Sequence, residues 1–322
     1  MAHRKIELEI ERLGLLRQAP YKEATAALRK ALGDRVNLMV AKAAKIIAEL
    51  EIRELEPELL RAFDRLFEDP VANDPQCWGK NAIANALRDL GHRESAPFLR
   101  GMRHVQMEPS FGKPVDTAPT LRGICLLAVL ACPDLRREDM MRHLVDGFTD
   151  ETATVRAEAA RGLELMEGDE SALLLRLKAR LGDDEAPVVG QVFDSLLKLE
   201  QDRGIRFVAG FLKSRREVRE EAALSLGSSR LSGAVEILRE TWESTRDPEF
   251  REVILRALSV SRQEPALEFL LSLVREARAH DAKAALEALS LDRNSPEIRR
   301  RVEEAAMQAG PAAKALFAQL FG

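Results

Sequence analysis

The chain is poor in aromatic residues and cysteine, and it lacks any long apolar run. Aromatic residues make up 5% of 322, with one Tyr and two Trp, so a pocket for a planar ligand has little to draw on. The longest uncharged apolar run, GICLLAVLACP at 123 to 133, falls well short of the roughly 18 residues that suggest a membrane span. Three cysteines, Cys77, Cys125 and Cys132, are an odd number, and the last two stand roughly 10 Å apart along one expected helix, too far for a disulfide. With no thiol framework, and no signal-peptide pattern in MAHRKIELEIER, the cytoplasm is the expected compartment. Neither sign of charge dominates: 49 basic residues face 53 acidic ones for a net charge of -4. The chain as a whole therefore offers no attraction to polyanions, and neither nucleic acid nor membrane is an expected partner. A Gly-rich phosphate loop, H-E-x-x-H, C-x-x-C and G-x-S-x-G are all missing, and His3, His92, His104, His143 and His280 are scattered. No metal, no cofactor and no catalysis are expected.

Helix-forming residues fill the space. Apolar residues are 46% and charged residues 32%, with Ala, Leu, Arg and Glu dominant, a balance that favours an all-α fold. One helical pattern then recurs. In VRAEAARGLELM, with Val155 as place 0, Ala159, Ala160, Leu163 and Met166 occupy places 4, 5, 8 and 11, one face of a 3.6-residue helix. Equivalent zero places fall at Met39, Gly79, Leu121, Val155, Val188, Val218, Phe250 and Asp281, at intervals of 40, 42, 34, 33, 30, 32 and 31 residues. Each template helix follows a second apolar helix, such as SALLLRLKARL or GAVEILRETW. The unit is a helical hairpin that cannot bury its apolar face alone, so neighbouring units must stack. Prolines after Asp74, Asp247, Ser295 and Gly310 mark helix starts. Ser214 with Glu217 reads as a capping box, and Gly33, Gly91, Gly182 and Gly227 read as helix stops.

The segment GKNAIANALRDLGHRESAPFLRGM at 79 to 102 resembles the short HEAT repeats of the phycobilisome-lyase type. Ala84, Leu87, Leu90, Gly91, Ala96, Pro97 and Leu99 match that pattern, while Gly79 and Lys80 stand where the family usually has Val and Arg. The resemblance implies a right-handed α-α superhelix, a HEAT/armadillo-like solenoid of about eight hairpins. One domain over 1–322 is expected, with an N-terminal cap at 3–17, repeats over 20–292 and a C-terminal cap at 296–321. Such repeats serve unrelated functions. Two enzyme classes share them, the bilin lyases and the HEAT-like alkylpurine DNA glycosylases. The few aromatics argue against a tetrapyrrole pocket, and Trp78 and Trp242 lack the basic and acidic surroundings of a base-excision site, so Trp78 is expected to pack against a neighbouring repeat.

Two features depart from the repeat. An insert, HVQMEPSFGKPVDTAPT at 104–120, has no helical period and carries Met107, Phe111 and Val115 among polar neighbours. The helix after it is apolar at Ile124, Leu127 and Leu130, places that are polar elsewhere. Either the insert covers that helix as core, with Phe111 and Met107 on Leu127 and Leu130, or the two form an apolar groove for a partner, or the insert is disordered. Place 1 is basic in five repeats, Lys80, Arg122, Arg156, Arg219 and Arg251. That ladder is expected to be structural, pairing with acids such as Asp150, Asp183 and Asp247 that precede the helices. The inner, concave face would show Lys42, Lys45, Asn81, Asn85, Glu158, Arg161, Gln191, Asp194, Glu220, Glu221, Glu252 and Arg256, signs mixed as suits protein recognition rather than a phosphate track. The expectation is a scaffold or adaptor, a monomer or weak homo-oligomer. It would bind another protein through that face, with Asn85, Arg161, Asp194 and Arg256 as candidate contacts, or through the insert. Nucleic-acid binding and bilin handling are the alternatives.

Overall fold

The structure, a computed structural model, describes residues 2–322, with side chains described from residue 6 onward. It is all-α but for one short hairpin, and its helices pack pairwise in sequence order. Contacts divide the chain into two compact units that meet in sequence at Gly162 and Leu163.

The first unit carries α1 (Ala2–Leu15), α2 (Tyr21–Leu32), α3 (Asn37–Glu49), α4 (Glu56–Arg65), α5 (Pro70–Asn73), α6 (Trp78–Asp89), α7 (Ala96–Gly101), α8 (Pro119–Ala128), α9 (Arg137–Gly147) and most of α10 (Ala153–Met166). Between α7 and α8 lie β1 (Met107–Glu108) and β2 (Val115–Asp116), antiparallel, with Met107 opposite Asp116 and Glu108 opposite Val115. The second unit carries the end of α10, then α11 (Asp169–Leu181), α12 (Ala186–Glu200), α13 (Asp202–Ala209), α14 (Arg216–Ser228), α15 (Ser232–Ser244), α16 (Pro248–Ser261), α17 (Glu264–Glu276), α18 (Ala279–Leu289), α19 (Pro296–Ala309) and α20 (Pro311–Phe321).

The eight template segments are α3, α6, α8, α10, α12, α14, α16 and α18, and within each unit neighbouring ones pack on each other as rungs. In the first unit α3 meets α6 and α6 meets α8; in the second α12 meets α14, α14 meets α16 and α16 meets α18. Places 4 and 5 explain this. All sixteen side chains there are buried, from Ala43 and Ala44 through Ala222 and Ala223 to Ala285 and Leu286. Short side chains let axes approach, and each larger one, such as Ile83 or Phe193, contributes about 1.5–3 kcal/mol by leaving water. Place 6 is never buried, which leaves each rung one free face.

Several local expectations change. Helix α14 starts at Arg216 and its N-cap, Arg215, makes no side-chain capping bond, so the Ser214–Glu217 box does not form. Side-chain caps do form at Asp247, which accepts from the N–H groups of Glu249 and Phe250, and at Ser295, which accepts from Ile298. Gly227 lies inside α14 rather than ending it. A Cβ there would strike the backbone of Ala257 in α16, so glycine is required by the close approach of two rungs. Gly91, at φ +77°, does mark a stop: it follows α6 in a left-handed conformation. The C-terminal cap is two helices, α19 and α20, packed as a further hairpin. The insert, read as having no helical period, forms β1 and β2. Among the described residues no helix is long and apolar enough to cross a membrane.

Candidate protein-binding surface

The insert does not cover α8 with its apolar side chains. Phe111 is fully exposed, and Met107 and Val115 are about half exposed. The reason is the strand alternation: Gln106 and Glu108 turn inward and are buried while Met107 between them turns out. What lies beneath is polar too. Asp74, Cys77, Lys80 and Arg122 are all buried, and they join the insert in one network.

That network is a clasp. Glu108 Oε1 accepts from the Gln76 N–H at 2.6 Å, the Thr117 hydroxyl at 2.6 Å and Gln106 Nε2 at 2.7 Å, and its Oε2 accepts from Gln76 Nε2 at 3.1 Å. Gln106 donates through Nε2 to the Asp74 carbonyl at 2.9 Å and accepts from the Cys77 thiol at 3.2 Å. Asp116 accepts from the N–H groups of Gln106 and Ala118, both at 3.0 Å, and pairs with Arg122 at 2.6 Å. Burial alone would raise the Glu108 and Asp116 carboxyls, but these donors overcome it and hold both below the usual carboxylate range. Gln76 and Cys77 sit at φ 62° and 54°, left-handed conformations that cost side-chain-bearing residues. The hydrogen bonds to Glu108 and Gln106 hold them there.

The basic ladder faces inward as well. Lys80 Nζ reaches Asp74 at 3.1 Å and the Leu66 carbonyl at 3.1 Å, with both charged side chains fully buried. Arg122 bridges Asp116 to Asp150, which precedes α10. Arg156 donates to the carbonyls of Asp150 and Glu151. In the second unit Arg219 pairs with Asp247 and Arg251 with Asp281, the latter at 3.2 Å. Asp247 thus binds the previous rung's cation while capping its own helix. Asp183 instead pairs with Lys178 at 2.7 Å.

The free faces carry the remaining candidates. In the first unit Asn85 lines an open trough of about 850 Å³ between α1, α3 and α6. Trp78, expected to pack away, lies on that trough and is 51% exposed. Ile124 and Leu127 on α8 and Leu130 in the 3-10 turn that follows it are half-buried, and Arg161 on α10 is exposed and paired with Glu158 at 3.2 Å. In the second unit Asp194 is partly exposed at its Ser228 contact of 3.4 Å, and Arg256 pairs with Glu252 at 3.6 Å. Burial raises Asp194 and Glu221, with Glu164 adding repulsion at Asp194, and Asp194 and Glu220 adding it at Glu221. The three cysteines are buried, and burial pushes the Cys77 and Cys132 thiols up to about 11, so none is poised as a nucleophile. Cys77 precedes α6 rather than lying on it. Among the described residues no three His, Cys, Asp or Glu side chains gather as a metal set. The side chain of His3 lies outside the described residues.

Comparison with known families finds a match to the model described as HEAT repeats over residues 206–290. Residues 206–290 are HEAT repeats. This HEAT stretch takes in the rungs α14, α16 and α18 with their partner helices. The phycobilisome-lyase resemblance rested on residues 79–102, outside it. Among solved structures, human deoxyhypusine hydroxylase in complex with glycerol is similar at 17% identity, with 81% of this chain and 99% of that chain covered and a TM-score of 0.31. A likeness that distant carries no conclusion about this chain's activity. No curated protein matches.

Proposed function

We propose that the chain is a non-catalytic protein-binding module whose partner engages the hairpin at 104–120 and the free faces of the neighbouring rungs. One observation carries this reading: Phe111 stands fully exposed at the tip of a hairpin whose base is locked by buried hydrogen bonds. A large apolar side chain held out on a rigid base is already ordered, so a partner covering it gains about 1.5–3 kcal/mol of burial with little ordering cost. The mixed charges of Glu158 and Arg161 in the first unit, and separately of Asp194 and Arg256 in the second, suit complementary recognition of a protein surface. Capture from native lysate tests the reading. Wild-type chain should retain a specific protein that Phe111→Ser loses, with unfolding stability unchanged to within about 0.5 kcal/mol because the side chain makes no core contact. Retention of the same proteins by both chains would contradict it.

A further inference from the structure

The trough between α3 and α6 has a regular origin. The two rungs are offset by 40 residues in sequence, so Leu38 and Trp78 share one place, Lys42 and Ala82 another, and Lys45 and Asn85 a third. At the corresponding places α8, the next rung, presents Thr120, Ile124 and Leu127, and Leu130 follows in the 3-10 turn after it, in line with Ala48 and Arg88. Chemistry therefore changes rung by rung across this face. The first rung is cationic, the second is polar with an exposed indole, and the third, past Thr120, is apolar.

The cations are uncommitted. The nearby acids are already held, Glu49 by Arg17 at 2.6 Å and Asp89 by Arg88 at 2.9 Å. Among the described residues no acid pairs with Lys42 or Lys45, which stand one helical turn apart on the same face of α3. Both ammonium groups thus remain available beside an apolar floor formed in part by Leu38 and Trp78.

We infer that this face binds a helical segment of a partner protein that is acidic at one end and apolar at the other. This inference rests on the protein-binding reading above and names the chemistry of the partner. Carboxylates would meet Lys42 and Lys45, an apolar side chain would lie on Trp78, and further apolar side chains would cover Ile124, Leu127 and Leu130. The dimensions agree. Packed helices lie 8–10 Å apart, so the first and third rungs are separated by about 16–20 Å, the length of roughly 11–13 helical residues. Nucleic acid fits worse, since phosphates would find two free cations and then an apolar rung. The trough is also open, and a small molecule in it would leave much of its own surface in water.

Tryptophan emission reads the test, because Trp78 is half exposed whereas Trp242 is 7% exposed. The probes are a tryptophan-free amphipathic 14-residue peptide with four glutamates at one end and a Leu/Ala stripe at the other, the same peptide with lysines replacing the glutamates, and a single-stranded oligonucleotide. The acidic peptide should shift emission to the blue and bind about tenfold more tightly than the basic one. The order should invert in Lys42→Glu/Lys45→Glu, and the shift should vanish in Trp78→Phe. Equal affinity for the two peptides, absence of any shift, or preference for the oligonucleotide would overturn the inference. Phe111-dependent capture that persists after such a failure would leave the broader protein-binding reading intact, so the two can fail separately.

Discussion

At the scale of single residues, the buried pair Lys80 and Asp74 is where chemistry is least replaceable. Asp74 accepts from the N–H groups of Gly79 and Lys80 and from Asn37, and its charge is balanced by Lys80. Lys80→Ala would leave that carboxylate without a counter-charge, so urea unfolding should show a loss of about 3–5 kcal/mol. An unchanged midpoint would mean that water reaches the site. Asp194 and Glu221 in the second unit act in the opposite sense. Burial, with repulsion from neighbouring carboxylates, raises both, so the folded state binds their protons more tightly than the unfolded state does. Their contribution to stability is greatest below the ordinary carboxylate values and is lost as pH rises through the raised ones. Glu221→Gln should raise the melting midpoint at pH 7, with the gain shrinking to nothing near pH 4. A gain that grows on acidification would contradict the assignment.

At the scale of elements, what the sequence revealed and what it hid follow from how each signal repeats. The rungs were legible because places 4 and 5 recur eight times, and Pro248, Pro296 and Pro311 open helices where the residue before each suggested. The hairpin was not, since each of its strands is two residues long and its inward side chains are polar. Apolar patterning cannot flag a segment whose buried face is Gln106, Glu108 and Asp116. Gly227 was misread for a related reason: a glycine that ends a helix and one that admits a neighbouring helix look alike in one dimension. The structure separates them, and Gly227→Ala should cost about 1–3 kcal/mol by pressing on the Ala257 backbone. Gly210→Ala, where a Cβ would meet nothing within 4 Å, should stay within about 0.5 kcal/mol as the control. The inward ladder could be anticipated from alternating Arg and Asp, but the double duty of Asp247 needed coordinates.

At the scale of the whole molecule, stability within each unit is a chain of neighbour contacts, since rungs pack on neighbouring rungs and on their own partner helices. Binding can then be placed on free faces without disturbing the seams, and an insert can be added wherever its base finds partners. The hairpin meets that condition through Gln76, Gln106 and Thr117, whose N–H groups donate to Glu108, Asp116 and the Gln106 carbonyl. Hydrogen exchange read residue by residue tests the claim most directly. The account predicts that the amides of Gln76, Gln106 and Thr117 are protected in step with α6 and α8, while residues 110–113 exchange at once. Uniformly fast exchange from 104 to 117, or protection of Phe111 at the tip, would contradict it.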